Sequence, residues 1–146
     1  MREVVDTQNL NANRRGVSIE IDPLWPPELL VDCDAEQIKR ALQNVVSNAL
    51  KYSPPNSSVH VSYKSEGKMH QLLVTDHGIG IPVGEQDKVL RGLYRASNAA
   101  SNNIPGSGVG LYLVKTVLEA HGGNVSFTSE EGKGTTFILS LPKQRK

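Results

Sequence analysis

A chain of 146 residues is long enough for one compact domain and leaves little room for a second. Hydrophobic residues at 38%, charged residues at 21% and a formal net charge of +1 describe a soluble globular unit and argue against a nucleic-acid binder driven by bulk electrostatics. The single cysteine, Cys33, excludes an internal disulfide framework and suits a reducing compartment, and no apolar run reaches the ~20 residues that span a bilayer.

Residues Met1 to Arg15 are mostly polar, with Asn at 9, 11 and 13, and read as a connector or frayed element. Val17 to Ile21 alternates like a short strand, and Pro23, Pro26 and Pro27 force a loop around Trp25. Asp34 and Gln37 resemble a capping box opening a helix that runs to about Tyr52, where Pro54 and Pro55 stop it. Ile38, Leu42, Val45 and Ala49 share its apolar face, and Asn44, Asn48 and Lys51 fall within ~60° on the other side.

Two strands follow, with Val59, Val61 and Tyr63 in the first and Gln71 to Asp76 in the second, joined across Ser65–Glu66–Gly67–Lys68. A glycine-rich loop over Asp76 to Pro82 leads to a short helical stretch near Gln86 to Leu93. Ala96 to Pro105 holds almost only small and polar residues, too little apolar surface to offset ordering entropy, and is expected to be mobile. A second amphipathic helix starts near Gly108, carries Leu111, Val114, Val117 and Leu118, and ends at Gly122–Gly123. Val125 to Thr128 and Thr135 to Leu141 close the chain as a hairpin, and Lys143 to Lys146 form a basic tail.

Three constellations carry chemistry. Asparagines at 44 and 48 place two neutral amide oxygens side by side on a helix, beside Lys51 and Tyr52, which suits a hard cation shared with phosphates. Asp76-His77-Gly78-Ile79-Gly80-Ile81 at a strand end offers a carboxylate to an exocyclic amine and glycines that let a flat ring approach. Gly106-Ser107-Gly108-Val109-Gly110-Leu111 opens a helix, where free N–H groups form an anion cradle.

The order of these motifs resembles the N, G1 and G2 boxes of the GHKL ATPases, and within them the catalytic ATP-binding domain of sensor histidine kinases. Leu93-Tyr94-Arg95 is similar to the end of that family's F box, and Gly132 to Phe137 to its last hairpin. The resemblance implies an α/β (α+β) two-layer sandwich of the Bergerat type, a mixed β-sheet with helices on one face. It implies an ATP-binding domain over residues 16–142, a lid at about 96–107, and a connector at 1–15 from an upstream dimerisation and phosphoacceptor domain.

Carried over by position, Asn48 with Asn44 would hold Mg²⁺, and Lys51 and Arg95 would meet the terminal phosphates of ATP. Tyr52 and Tyr94 would line the pocket, and Asp76 would accept the adenine amine beside Gly78, Gly80 and Ile81. Gly106, Gly108, Val109, Gly110 and Leu111 would wrap the phosphates, and Thr135 would close the base pocket.

Two positions depart from the family pattern. Leu93 stands where the F box usually has phenylalanine, and Arg40 stands where some GHKL hydrolases carry a glutamate. Arg40 argues against activated water and for transfer to a protein side chain; a GHKL serine kinase, ATPase or nucleotide-sensing module is the alternative. His60, His70, His77 and His121 each lack a following acid and are expected at a strand face, a turn, a loop and a helix end. The acceptor histidine is therefore expected on a separate helical-hairpin domain, which would pass the phosphoryl group to a response regulator. The fragment is expected to be a cytoplasmic monomer without direct membrane contact, from a homodimeric parent that could be membrane-anchored.

Overall fold

The computed structural model describes residues 1–91, 96–101 and 109–144. Five strands form one mixed sheet in the order β1-β2-β3-β5-β4, with β1 at Ser18–Ile21, β2 at Ser58–Glu66, β3 at Met69–Asp76, β4 at Asn124–Glu130 and β5 at Gly134–Pro142. β1 runs parallel to β2, and every other neighbouring pair is antiparallel. Period-two alternation turns Val59 of β2, Leu72 and Val74 of β3, and Phe137, Leu139 and Leu141 of β5 into one core, and buries Val61 of β2 as well. Their neighbours Ser62, Leu73, Thr75 and Ile138 stay only half-buried on the other face. The helices therefore cover one side of the sheet, the two-layer α/β sandwich expected from the sequence.

The long helix α2 spans Ala35–Tyr52. Asp34 caps it, its carboxylate accepting the Glu36 and Gln37 N–H groups at 3.1 Å each. Ile38, Leu42, Val45 and Ala49 are buried as the spacing predicts, joined by Ala41, Val46 and Leu50. The later helix α4, Val109–Ala120, buries Val114 and Leu118 in the same core. His121 ties the two helices together. Its Nδ1–H donates to Val117 O at 2.7 Å, which leaves Nε2 as the acceptor for the Asp34 N–H at 3.1 Å.

Two local expectations are corrected. Residues 1–15 are not frayed: Arg2–Arg15 forms helix α1, and its Val4 and Ala12 belong to the core. Only three of its fourteen residues are buried, so the helix owes its place to tertiary packing rather than to an apolar stripe. Gly16 ends it in the left-handed conformation (φ 67°), with Arg14 and Arg15 in the last turn suiting the negative end of the dipole. Over Gln86 to Leu93 the described residues, which end at Arg91, form no α-helix. A single 3₁₀ turn at Val83–Glu85 is followed by turns bonded from residue i+3 to i, such as Lys88 N–H to Glu85 O at 3.1 Å. Within the segment Ala96 to Pro105, Ser97–Ser101 forms a short helix, α3, and residues 102–105 lie outside the described residues.

Candidate functional site

The stripe of α2 opposite its buried face forms one wall of a cavity of about 300 Å³, through Asn44, Ser47, Asn48, Lys51 and Tyr52. Asp76, Ile79, Gly80 and Ile81 follow from the end of β3, and Thr135 and Phe137 from β5. Gly110 and Leu111 close it from the start of α4, and Ala96, Asn98 and Ala99 from the α3 segment. The volume falls at the lower end of the range typical of small-molecule sites. Lys51 Nζ lies 5.2 Å from the centroid of the Tyr52 ring.

Asp76 is the buried acid of this cavity, only 4% exposed. Its Oδ1 accepts the Gly78 N–H at 2.9 Å. Burial pushes its carboxyl up from 3.8 to about 6, against the lowering influence of the Gly78 and Thr135 backbone N–H groups and of His77. A carboxylate held there against desolvation gains from any ligand that brings a hydrogen-bond donor.

The glycines of the Asp76 loop do something the sequence did not disclose. A Cβ on Gly78 would lie 2.1 Å from the Tyr52 carbonyl oxygen, and one on Gly80 2.1 Å from that of Glu130. The groups that approach these glycines are therefore backbone carbonyls of α2 and β4. Gly80 also lines the cavity; Gly78 does not. The loop is anchored further by Ser129, whose Oγ accepts the Ile81 N–H at 2.8 Å, and by Gln86, whose amide donates to Ile81 O and Ser129 O at 3.0 Å each.

Asn98 of α3 reaches the same loop, its Nδ2 donating to Gly80 O at 2.9 Å. Glu85 holds the start of α3, its carboxylate accepting the Ser97 N–H at 3.0 Å and the Ser97 hydroxyl at 2.7 Å.

Of the residues singled out in the sequence, Asn44, Asn48, Lys51, Tyr52, Asp76, Gly80, Ile81, Gly110, Leu111 and Thr135 meet at this one cavity. Val109 begins α4 but is not among the lining residues. Leu93, Tyr94, Arg95, Gly106 and Gly108 lie outside the described residues. Ser47 and Val89 line the cavity without having been singled out, and Ile79, Ala96, Asn98, Ala99 and Phe137 line it from motifs or segments in which they were given no role of their own. Ser47 was within reach of sequence reasoning, since it falls one turn before Lys51. No histidine lines it: the His77 ring packs edge-on against His60 at 5.7 Å, and His60 pairs with Glu20 at 3.1 Å.

Residues 33–145 match the family described as histidine kinase-, DNA gyrase B-, and HSP90-like ATPase. The chain belongs to this family. It is 39% identical over 117 residues to the sensor histidine kinase WalK of Bacillus subtilis, covering 79% of this chain and 19% of that protein. It is 36% identical over 140 residues to the sensor-like histidine kinase SenX3 of Mycobacterium tuberculosis, covering 96% of this chain and 34% of that protein. The solved structure of the mycobacterial sensor histidine kinase MprB is 31% identical with a TM-score of 0.80, covering 100% of this chain and 97% of that one. The chain thus spans about a third or less of the length of these two curated relatives. As a histidine kinase-like ATPase domain it binds ATP, and the cavity between α2, β3 and α4 is its candidate site.

Proposed function

We propose that this domain holds ATP with Mg²⁺ and presents the γ-phosphoryl group to a histidine on a separate helical-hairpin domain of the parent protein, which then serves a response regulator. The observation that carries this reading is one cavity joining the amide stripe of α2, the buried Asp76 and the glycine-containing start of α4. Asp76 accepts the adenine amine, and Ile79, Ile81, Leu111 and Phe137 keep water from the base. Lys51 neutralises the terminal phosphates, with Arg95 as its counterpart by family resemblance. Nothing in this scheme requires a covalent intermediate in this domain; catalysis is positioning and charge neutralisation.

The residues fit Mg²⁺ on donor chemistry. Among the described residues no group of three or more His, Cys, Asp or Glu side chains could cage a metal ion. Asn44 and Asn48 offer neutral amide oxygens, and an ion that keeps phosphates and waters in its shell needs few protein ligands. Bound there, Mg²⁺ would offset charge between the phosphates.

Arg40 is exposed on α2, one turn before Asn44, and supplies no acid to activate water. The isolated domain therefore binds ATP with little turnover. No described helix is long and apolar enough to cross a membrane. A monomeric fragment of a homodimeric cytoplasmic kinase, anchored or not, fits that.

The test is transfer of label from γ-labelled ATP to a cognate histidine-bearing hairpin domain mixed with this chain. Mg²⁺-dependent labelling that Asn48→Ala abolishes is expected. Tight ATP binding with no transfer to that hairpin domain would remove the kinase reading.

A further inference from the structure

We propose that Ser129 sets the base selectivity of this cavity by fixing the direction of the Thr135 hydroxyl, an inference that rests on the ATP-binding reading above. Ser129 Oγ meets three polar atoms at once: the Ile81 N–H at 2.8 Å, the Gly134 carbonyl oxygen at 3.0 Å and Thr135 Oγ1 at 2.8 Å. An N–H can only donate and a carbonyl can only accept, and Ser129 owns one hydroxyl hydrogen. Only one arrangement satisfies all three contacts. The Ser129 hydrogen goes to Gly134 O, and its two lone pairs take the Ile81 N–H and the Thr135 hydroxyl hydrogen.

Thr135 lines the cavity and is 7% exposed. With its hydrogen turned away toward Ser129, it shows the ligand lone pairs alone. Its cross-strand partner is Asp76, whose carboxylate also accepts. Two neighbouring acceptors at the base end of the cavity select a ring edge that carries hydrogens, as the 6-amino group of adenine does. They repel a keto oxygen in the same place, as in hypoxanthine or guanine. A site whose polar groups are left unpaired or opposed by the wrong base discriminates far better than one that reads shape alone.

Ser129 is absent from the cavity lining, so it acts through Thr135 and is a positioning residue rather than a catalytic one. Removing its hydroxyl frees Thr135 to turn its hydrogen into the cavity, where it can donate to a keto oxygen.

The experiment measures the affinities of ATP and inosine triphosphate for the full chain by competition against a fluorescent ATP analogue. Wild type is expected to prefer ATP. Ser129→Ala is expected to narrow that preference about tenfold, mainly through tighter inosine triphosphate binding, the scale of one hydrogen bond made or opposed in a buried site. Ser129→Thr, which keeps a hydroxyl, is expected to retain the wild-type preference. Equal weakening of both nucleotides in Ser129→Ala would reduce Ser129 to an anchor for Ile81 and overturn the proposal.

Should Ser129→Ala fail to fold, Thr135→Val serves in its place. Loss of ATP affinity with inosine triphosphate affinity unchanged or improved supports the proposal, and equal loss of both overturns it. Failure of the underlying reading looks different: wild type would not bind ATP, or Asp76→Asn would bind it as wild type does.

Discussion

Gly110 of α4 lies against Asn44 of α2, so that a Cβ added to the glycine would stand 3.9 Å from the Asn44 side-chain Cγ and Oδ1. That is ordinary contact, and both residues wall the same cavity. The amide stripe of one helix and the start of the other thus face one another at the place where phosphates would sit.

Gly110→Ala follows directly. The fold has room for the methyl group, and alanine is favoured over glycine in a helix by about 1 kcal/mol. Thermal unfolding is expected to stay within a few degrees of wild type or rise. ATP affinity is expected to fall severalfold, because the methyl narrows the cavity beside Asn44. Scanning fluorimetry and titration with a fluorescent ATP analogue separate the two effects; wild-type affinity in a folded variant would place the phosphates elsewhere.

The two glycines of the Asp76 loop behave in the opposite sense. Gly78→Ala drives a methyl to 2.1 Å from the Tyr52 carbonyl, and Gly80→Ala meets the Glu130 carbonyl at 2.1 Å from a backbone at φ 66°. Neither carbonyl is the free end of a flexible side chain, so backbone must move. Each substitution is expected to cost about 3 kcal/mol or more, from overpacking against backbone at both positions and, at Gly80 alone, from a strained φ in addition. Urea unfolding reads this as a lowered midpoint. A midpoint near that of wild type would mean that the loop relaxes freely and does not fix Asp76.

Asp76 separates stability from binding. Its folded carboxyl titrates at about 6 against an ordinary 3.8, because burial disfavours the charged form. The stabilisation contributed by the protonated acid is complete below 3.8 and is lost as pH rises through 6. That displacement corresponds to about 3 kcal/mol. Asp76→Asn is therefore expected to match wild-type stability near pH 4 and to exceed it by up to that amount at pH 8. Its ATP affinity at pH 8 should be at least tenfold weaker. Chemical denaturation at both pH values, with nucleotide titrations alongside, checks the pair; equal stability at both would mean that the acid is solvated.

Much of this was legible because local rules and tertiary structure agree. The α2 helix carries its cap at Asp34, its apolar face at three- and four-residue spacing and its prolines just past the end, and all three act as the sequence indicates. The five strands were legible by alternation and turn residues. The role of Gly78 and Gly80 was not, because the Tyr52 and Glu130 carbonyls come from distant parts of the chain. Asn98 meets Gly80 across 18 positions, a contact that no periodicity encodes. The Ser129 network is hidden for the same reason, since a serine in a strand carries no signal of what lies opposite.

The first helix is the clearest miss, and it supports a contrast within one element. Val4 is 2% exposed and joins the core around Ile38 and Val45, whereas Leu10 on the same helix is 62% exposed. A polar helix with three buried residues gives almost no amphipathic signal, so composition suggested a connector. The segment is nevertheless an ordered helix packed on the core. Val4→Ala is expected to destabilise the domain by about 2 kcal/mol, the scale of a buried aliphatic side chain, and Leu10→Ala to fall within ~0.5 kcal/mol of wild type. Because α1 packs on the helix that carries Asn44 and Asn48, Val4→Ala should lower the urea midpoint while leaving the slope of the transition unchanged. Equal, negligible effects from the two substitutions would return residues 2–15 to the status of a tether.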